Sequence, residues 1–193
     1  MNREHVRAFM KILERHQIRH ILVGGAAVMV AFPSESRDVD VLLLARTYEK
    51  GVDALDHDPS VVSITRESGQ MAGGHFMVGP TLVRFDLLDP GAFSGRHSGD
   101  EFFDYVVRYG SRAAPEGRVA TVPVVWYMRL VIEGDAWLVQ VQKILRDLRA
   151  GAPWSLMTRV RVLARRFGED AKISARIERV RIEAERAGLL AVQ

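Results

Sequence analysis

A chain of 193 residues with no cysteine forms neither a disulfide nor a zinc–thiolate site, and it has no cysteine nucleophile. Its 48% hydrophobic and 26% charged residues are those of an ordinary globular protein with a core of its own: one domain with a helical extension, or two small ones. The net charge of +3 is unevenly spread, because residues 143–193 carry 12 Lys/Arg against 6 Asp/Glu whereas residues 1–142 carry 15 against 18. An acidic part joined to a basic helical part points to a polyanionic partner, or to nothing more than an Arg-rich solvated helix surface. No apolar run approaches 18 residues, and the N-terminus reads as a charged amphipathic helix rather than a signal peptide. A cytoplasmic protein without a membrane segment is expected.

In chain order, Val6, Phe9, Met10 and Leu13 recur at helical spacing and predict a helix over 2–16. A strand over 20–23 runs into Gly24-Gly25, which opens a helix of 24–32 closed before Pro33. Residues 38–44 form a second strand, apolar on both faces apart from two Asp and therefore central. A helix near 47–56 and strands near 61–66, 74–78 and 81–88 follow, the last two separated by a Gly79-Pro80 turn. Residues 89–99 are loop by composition, 101–109 a short helix, and a strand near 118–122 ends at Pro123. Beyond it the pattern is helical over 124–133, 135–150, 154–167 and 170–187, with Gly134, Gly151-Ala152-Pro153 and Gly168 as punctuation. The division expected is an α/β core over 1–122 and a helical region over 123–193.

Asp38 and Asp40 stand two residues apart in a strand, so both side chains leave the same face. Flanked by Val and Leu, they repel each other and lose solvation unless a cation lies between them. Asp86 sits mid-strand in Thr81–Leu88 in a similar apolar setting. Three strand-borne carboxylates suit two Mg²⁺ ions, hard cations that take oxygen ligands and complete their shells with waters and substrate phosphates. Such a pair stabilises both the attacking and the leaving oxygen of an in-line phosphoryl displacement. The Gly24-Gly25 turn fits the same chemistry: without Cβ atoms the backbone approaches a phosphate closely at a helix start.

Gly24-Gly25, a twelve-residue gap, Asp38-x-Asp40 and a later strand Asp resemble the nucleotidyltransferase superfamily related to DNA polymerase β, above all its minimal members such as MNT-type antitoxins, AbiEii-type toxins and small antibiotic nucleotidyltransferases. The resemblance implies an α/β (α+β) fold, with a mixed-sheet core flanked by helices and a C-terminal helical region. It implies metal roles for Asp38 and Asp40, a metal or base role for Asp86, and phosphate contact by Gly24 and Gly25. Ser36 matches a Ser/Thr often found before the Asp pair and is a further phosphate contact on that basis. The family's "Leu-Lys-Leu" and "Asp-Leu" helices correspond to Met128-Arg129-Leu130 and Arg146-Asp147-Leu148, which puts Arg129 where a phosphate-binding Lys is common. Arg keeps that charge with a different donor geometry. The resemblance covers residues 20–150, and 151–193 carry no motif.

The activity implied is Mg²⁺-dependent transfer of a nucleoside monophosphate from a nucleoside triphosphate, ATP among them, to an acceptor hydroxyl. An RNA or tRNA 3′ end, a partner toxin protein and a small molecule are all open as acceptors, in a toxin–antitoxin or phage-defence setting. The alternative is a silent binding protein of the same fold, an antitoxin or scaffold. Each residue also has a plainer reading: exposed strand-end carboxylates for Asp38 and Asp40, a tight turn for Gly24-Gly25, and an ion pair with Arg84 for Asp86. Asp89 competes for the third position but precedes Pro90 and reads as a turn residue. His75 and His97 fit surface or turn duty, and Trp126-Tyr127 fit the core. Rossmann and P-loop motifs are excluded, since neither the third glycine nor Gly-Lys-Ser/Thr follows.

Overall fold

The computed structural model describes residues 1–68, 71–134 and 136–190. These form eight α-helices and one seven-stranded mixed sheet. The elements are α1 (Arg3–Arg15), β1 (His20–Leu22), α2 (Gly24–Ala31), β2 (Asp38–Leu43), α3 (Tyr48–Asp56), β3 (Val61–Ser68), β4 (Met71–Val78), β5 (Thr81–Leu88), α4 (Gly99–Tyr109), β6 (Ser111–Ala114), β7 (Gly117–Ala120), α5 (Val122–Val131), α6 (Ala136–Arg149), α7 (Leu156–Arg166) and α8 (Asp170–Arg186). Strand order is β3-β4-β5-β2-β1-β7-β6, parallel between β2 and β5 and between β1 and β7, antiparallel elsewhere. The strand bearing the Asp pair is therefore the middle one, as its apolar faces predicted.

Four departures from expectation have a local physical cause. Strand β4 begins at Met71, three residues early, because pairing with β5 carries Met71, Ala72 and Gly73 into the ladder despite the weak strand propensity of Ala and Gly. Strand β6 went unread: Ser-Arg-Ala-Ala has no alternation, and it is a strand only because it pairs antiparallel with β7. Residues 90–93 form a 3₁₀ turn, with Pro90 in its first turn and Asp89 as its cap, the Asp89 carboxylate accepting from the Gly91 amide at 2.7 Å. Pro123 sits in the first turn of α5 rather than ending β7, since a helix start needs no N–H there. Asp135, included in the expected 135–150 helix, and residues 191–193 lie outside the described residues.

The two faces of the sheet have different fates. On one, Phe9 of α1 stacks on Phe85 (4.5 Å between centroids) and meets Phe76 (4.8 Å). Phe85 and Asp86 are adjacent in β5, so the acids project from the opposite face. There α2 packs on β2, and α5 packs on α2, α6, α7 and α8. All ten residues of α5 are buried, which is why its sequence is apolar nearly all round, Arg129 being its one charged residue. Trp126 and Tyr127 are core residues; the Tyr127 hydroxyl donates to the Phe93 carbonyl at 3.0 Å. Arg176 of α8 closes the other end of α5 by donating to the Ile132 carbonyl at 2.6 Å. Among the described residues no helix is long and apolar enough to cross a membrane.

Candidate functional site

The parallel register of β2 and β5 sets Asp40 directly opposite Asp86, and Asp38 opposite Arg84. Side chains on neighbouring strands at one level stand about 5 Å apart. The outcome is one cluster: Asp38, Asp40 and Asp86 each present a carboxylate oxygen within 4.8 Å of the others'. Asp86 is also paired to Arg84, whose Nη2 lies 3.2 Å from its Oδ1, so the ion pair and the acid cluster coexist.

The glycine turn is fitted to this cluster. Gly24 has φ +61, and a Cβ there would fall inside the Asp40 carboxylate. A Cβ on Gly25 would stand 2.7 Å from the Ser36 hydroxyl. The pair thus brings backbone against Asp40 and the 32–37 loop, at the start of a helix whose cap makes no side-chain hydrogen bond. Ser36 is buried, and its hydroxyl donates to the Asp38 carbonyl at 2.9 Å; it braces the loop into β2 and does not line the cavity.

A cavity of about 690 Å³ opens beside the acids, lined among others by Gly24, Gly25, Asp40, Asp86, Arg129 and Lys143. That size lies within the roughly 300–1,000 Å³ of small-molecule sites. Arg129, on α5, is buried and ion-paired to Asp147 of α6, which also accepts from the Trp126 indole at 2.9 Å. Its Nη2 is buried without a hydrogen-bond partner among the described residues. Buried donors are normally paired, so this one stands out in a residue that lines the cavity.

Charge is unevenly balanced within the site. Burial, then Asp38 and Asp86, push the Asp40 carboxyl up to about 7, while Lys143 and Arg129 pull the other way. Burial likewise lowers the Arg129 guanidinium, opposed by Asp147 and Asp40. Like charges crowded in low dielectric favour the arrival of a cation. Three oxygen donors on rigid strands suit a hard divalent cation, a class that includes Mg²⁺.

Lys143 was missed from sequence, as were Gln140 and Lys172 on the same cavity wall. A signal existed: Gln140, Lys143 and Asp147 recur at helical spacing, so the face of α6 that meets Arg129 carries Lys143 as well. The histidines stay outside the cluster. His75 lies 3.3 Å from the Ser63 hydroxyl, and His97 packs edge-on against Phe167 at 5.4 Å.

Fold and site define a mixed α/β protein with an acidic cluster on its central strands, facing a cavity roofed by helices. In structure the chain is similar to an antigenic nucleotidyltransferase-like protein from Paracoccidioides brasiliensis (12% identity, 90% of this chain and 92% of that one, TM-score 0.47). It is also similar to a candidate nucleotidyltransferase from H. pylori (11% identity, 91% and 81%, TM-score 0.44) and to JHP933 from Helicobacter pylori (10% identity, 97% and 94%, TM-score 0.45). No family model and no curated protein matches the sequence. What the site can do is therefore read from its own residues.

Proposed function

We propose that the protein is a Mg²⁺-dependent nucleotidyltransferase, moving a nucleoside monophosphate from a nucleoside triphosphate to an acceptor hydroxyl. One observation carries this reading: three strand carboxylates gather their oxygens within 4.8 Å beside a cavity that a glycine turn and the cationic Arg129, Lys143 and Lys172 also line. Asp38, Asp40 and Asp86 would hold the metal, which when bound neutralises phosphate charge and polarises the reacting phosphoryl group. Gly24 and Gly25 leave room for phosphate oxygens at the start of α2. Lys143 and Arg129 face the charge that builds on departing pyrophosphate, where preorganised cations act most strongly.

The acceptor oxygen forms a bond to the α-phosphorus as the bond from that phosphorus to the β-phosphate bridging oxygen breaks. The acceptor proton passes to Asp86, and pyrophosphate carries the leaving electron pair. An RNA end, a protein or a small molecule can supply the hydroxyl.

The test is incubation with each α-labelled triphosphate, Mg²⁺, and total tRNA or cell lysate. Transfer of label that Asp38→Ala abolishes, with the fold intact, supports the reading. Absence of transfer to any acceptor, with triphosphate still bound, leaves a silent binding protein of this architecture instead.

A further inference from the structure

Of the six surplus positive charges of residues 143–193, four lie on α7. On α8 the arginines are largely engaged: Arg179 with Glu183, Arg181 with Glu178 and Glu185, Arg186 with Glu183, and Arg176 with backbone carbonyls. Helix α7, Leu-Met-Thr-Arg-Val-Arg-Val-Leu-Ala-Arg-Arg, holds four arginines and no acid. Of these, Arg165 pairs with Asp170, while Arg159, Arg161 and Arg166 make no ion pair among the described residues. Arg161 and Arg166 act on Glu178 and Glu101 only as longer-range charges.

Beside α7 runs the exposed edge of α4. Tyr105 and Tyr109, one turn apart, approach to 5.2 Å between ring centroids. Tyr105 is fixed edge-on against Phe167 (5.4 Å, 87°), whereas Tyr109 is 73% exposed. Between the helices lies a second cavity of about 200 Å³, lined by both tyrosines, Arg159 and Val162 among others. Arg108 and Arg112 are exposed nearby in sequence, at the end of α4 and the start of β6.

A cationic groove with exposed aromatic rings is the recurrent design for single-stranded nucleic acid, where arginines follow the phosphates and rings stack on bases. A protein partner would call for a charge-depleted apolar centre. Here the wall offers one exposed aliphatic side chain, Val162, against unpaired Arg159. Helix α5 contributes to both cavities: Val124 lines this groove and Arg129 the larger one, about 8 Å apart along the helix axis at 1.5 Å per residue.

We propose that the α4–α7 groove binds single-stranded nucleic acid and holds the acceptor strand of the reaction above. Its purpose rests on that reading, whereas its chemistry stands on Arg159, Tyr109 and the bare charge of α7. The experiment is fluorescence anisotropy with labelled ten-nucleotide RNA and DNA strands on the full chain, over a salt series. Binding should weaken with salt at a log–log slope near −2, about −0.7 for each phosphate neutralised. Arg159→Glu should flatten that slope and weaken binding at least ~10-fold, and Arg159→Lys should retain most of it. Tyr109→Ala should weaken binding ~5- to 100-fold through lost stacking. Both side chains are exposed, so melting curves should not move. The titrations are run without Mg²⁺ or triphosphate, so binding in this groove is read apart from the acid site. Absent or salt-insensitive binding, or equal binding by Arg159→Glu and Tyr109→Ala, overturns the groove while leaving any label transfer standing. A dimer seen by light scattering that Tyr109→Ala dissolves also overturns it, in favour of an interface between copies. RNA and DNA results decide which strand is taken.

Discussion

Arg129 and Asp147, from two consecutive helices and eighteen residues apart, meet as a buried ion pair on the wall of the acidic cavity. The pair joins α5 to α6 and leaves one buried guanidinium nitrogen, Nη2, without a hydrogen-bond partner among the described residues. Asp147 in turn is held by the Trp126 indole. The ion pair thus ties the packing of α5 on α6 to a residue that lines the cavity.

Breaking that contact on one side strands a charge in the core. Arg129→Met should lower stability by about 3–5 kcal/mol, the usual cost of removing one member of a buried pair. Arg129→Met with Asp147→Leu should recover most of the loss, since no charge then remains buried. Urea unfolding of the two variants decides it: equal midpoints for the single variant and the unaltered chain would mean the pair contributes nothing.

At Gly24 two effects can be separated. Ala there takes on a positive φ, at about 1–2 kcal/mol, and also drives a methyl group into the Asp40 carboxylate. Gly79 has a similar φ, +56, with nothing near its missing Cβ. Gly24→Ala should therefore lose Mg²⁺ binding by calorimetry as well as stability, whereas Gly79→Ala should lose stability alone. Normal Mg²⁺ binding by Gly24→Ala would show that Asp40 is not held by the turn.

Acid sensitivity should come in part from Asp58, far from the site. Burial works against its charged form, but the Ser60 amide, His16, the Ser60 hydroxyl and Arg15 outweigh that and hold its carboxyl below the ordinary range. The Ser60 amide is 2.8 Å away and His16 Nε2 2.6 Å. A carboxyl lower in the folded chain stabilises fully above the unfolded pKa, near 3.9, and loses that contribution as pH falls through the folded value. Asp58→Asn should cost about 1–3 kcal/mol at neutral pH, with a smaller deficit at pH 3. Thermal melts across pH 3–7 measure this, and a deficit unchanged with pH refutes it.

Much of the fold was legible because its signals are local. Helical spacing of Val6, Phe9, Met10 and Leu13 marks α1 whatever surrounds it, and Val-Asp-Val-Leu-Leu reads as a central strand on its own. Strand β6 and the first residues of β4 escaped because Ser-Arg-Ala-Ala and Met-Ala-Gly become strands only through their partners. The same division runs through the site. Asp38 and Asp40 share a face by strand geometry alone, whereas Lys143 reaches the cavity through helix packing.

By itself the sequence determined an α/β chain with a same-face Asp pair after a glycine turn, because side-chain alternation and backbone permissiveness act over a few residues. Tertiary structure alone decided that Asp86 lands opposite Asp40, that Arg129 is claimed by Asp147, and that α7 rather than α8 keeps bare charge. Register between β2 and β5 and packing between helices depend on contacts distant in the chain, and no local pattern encodes them.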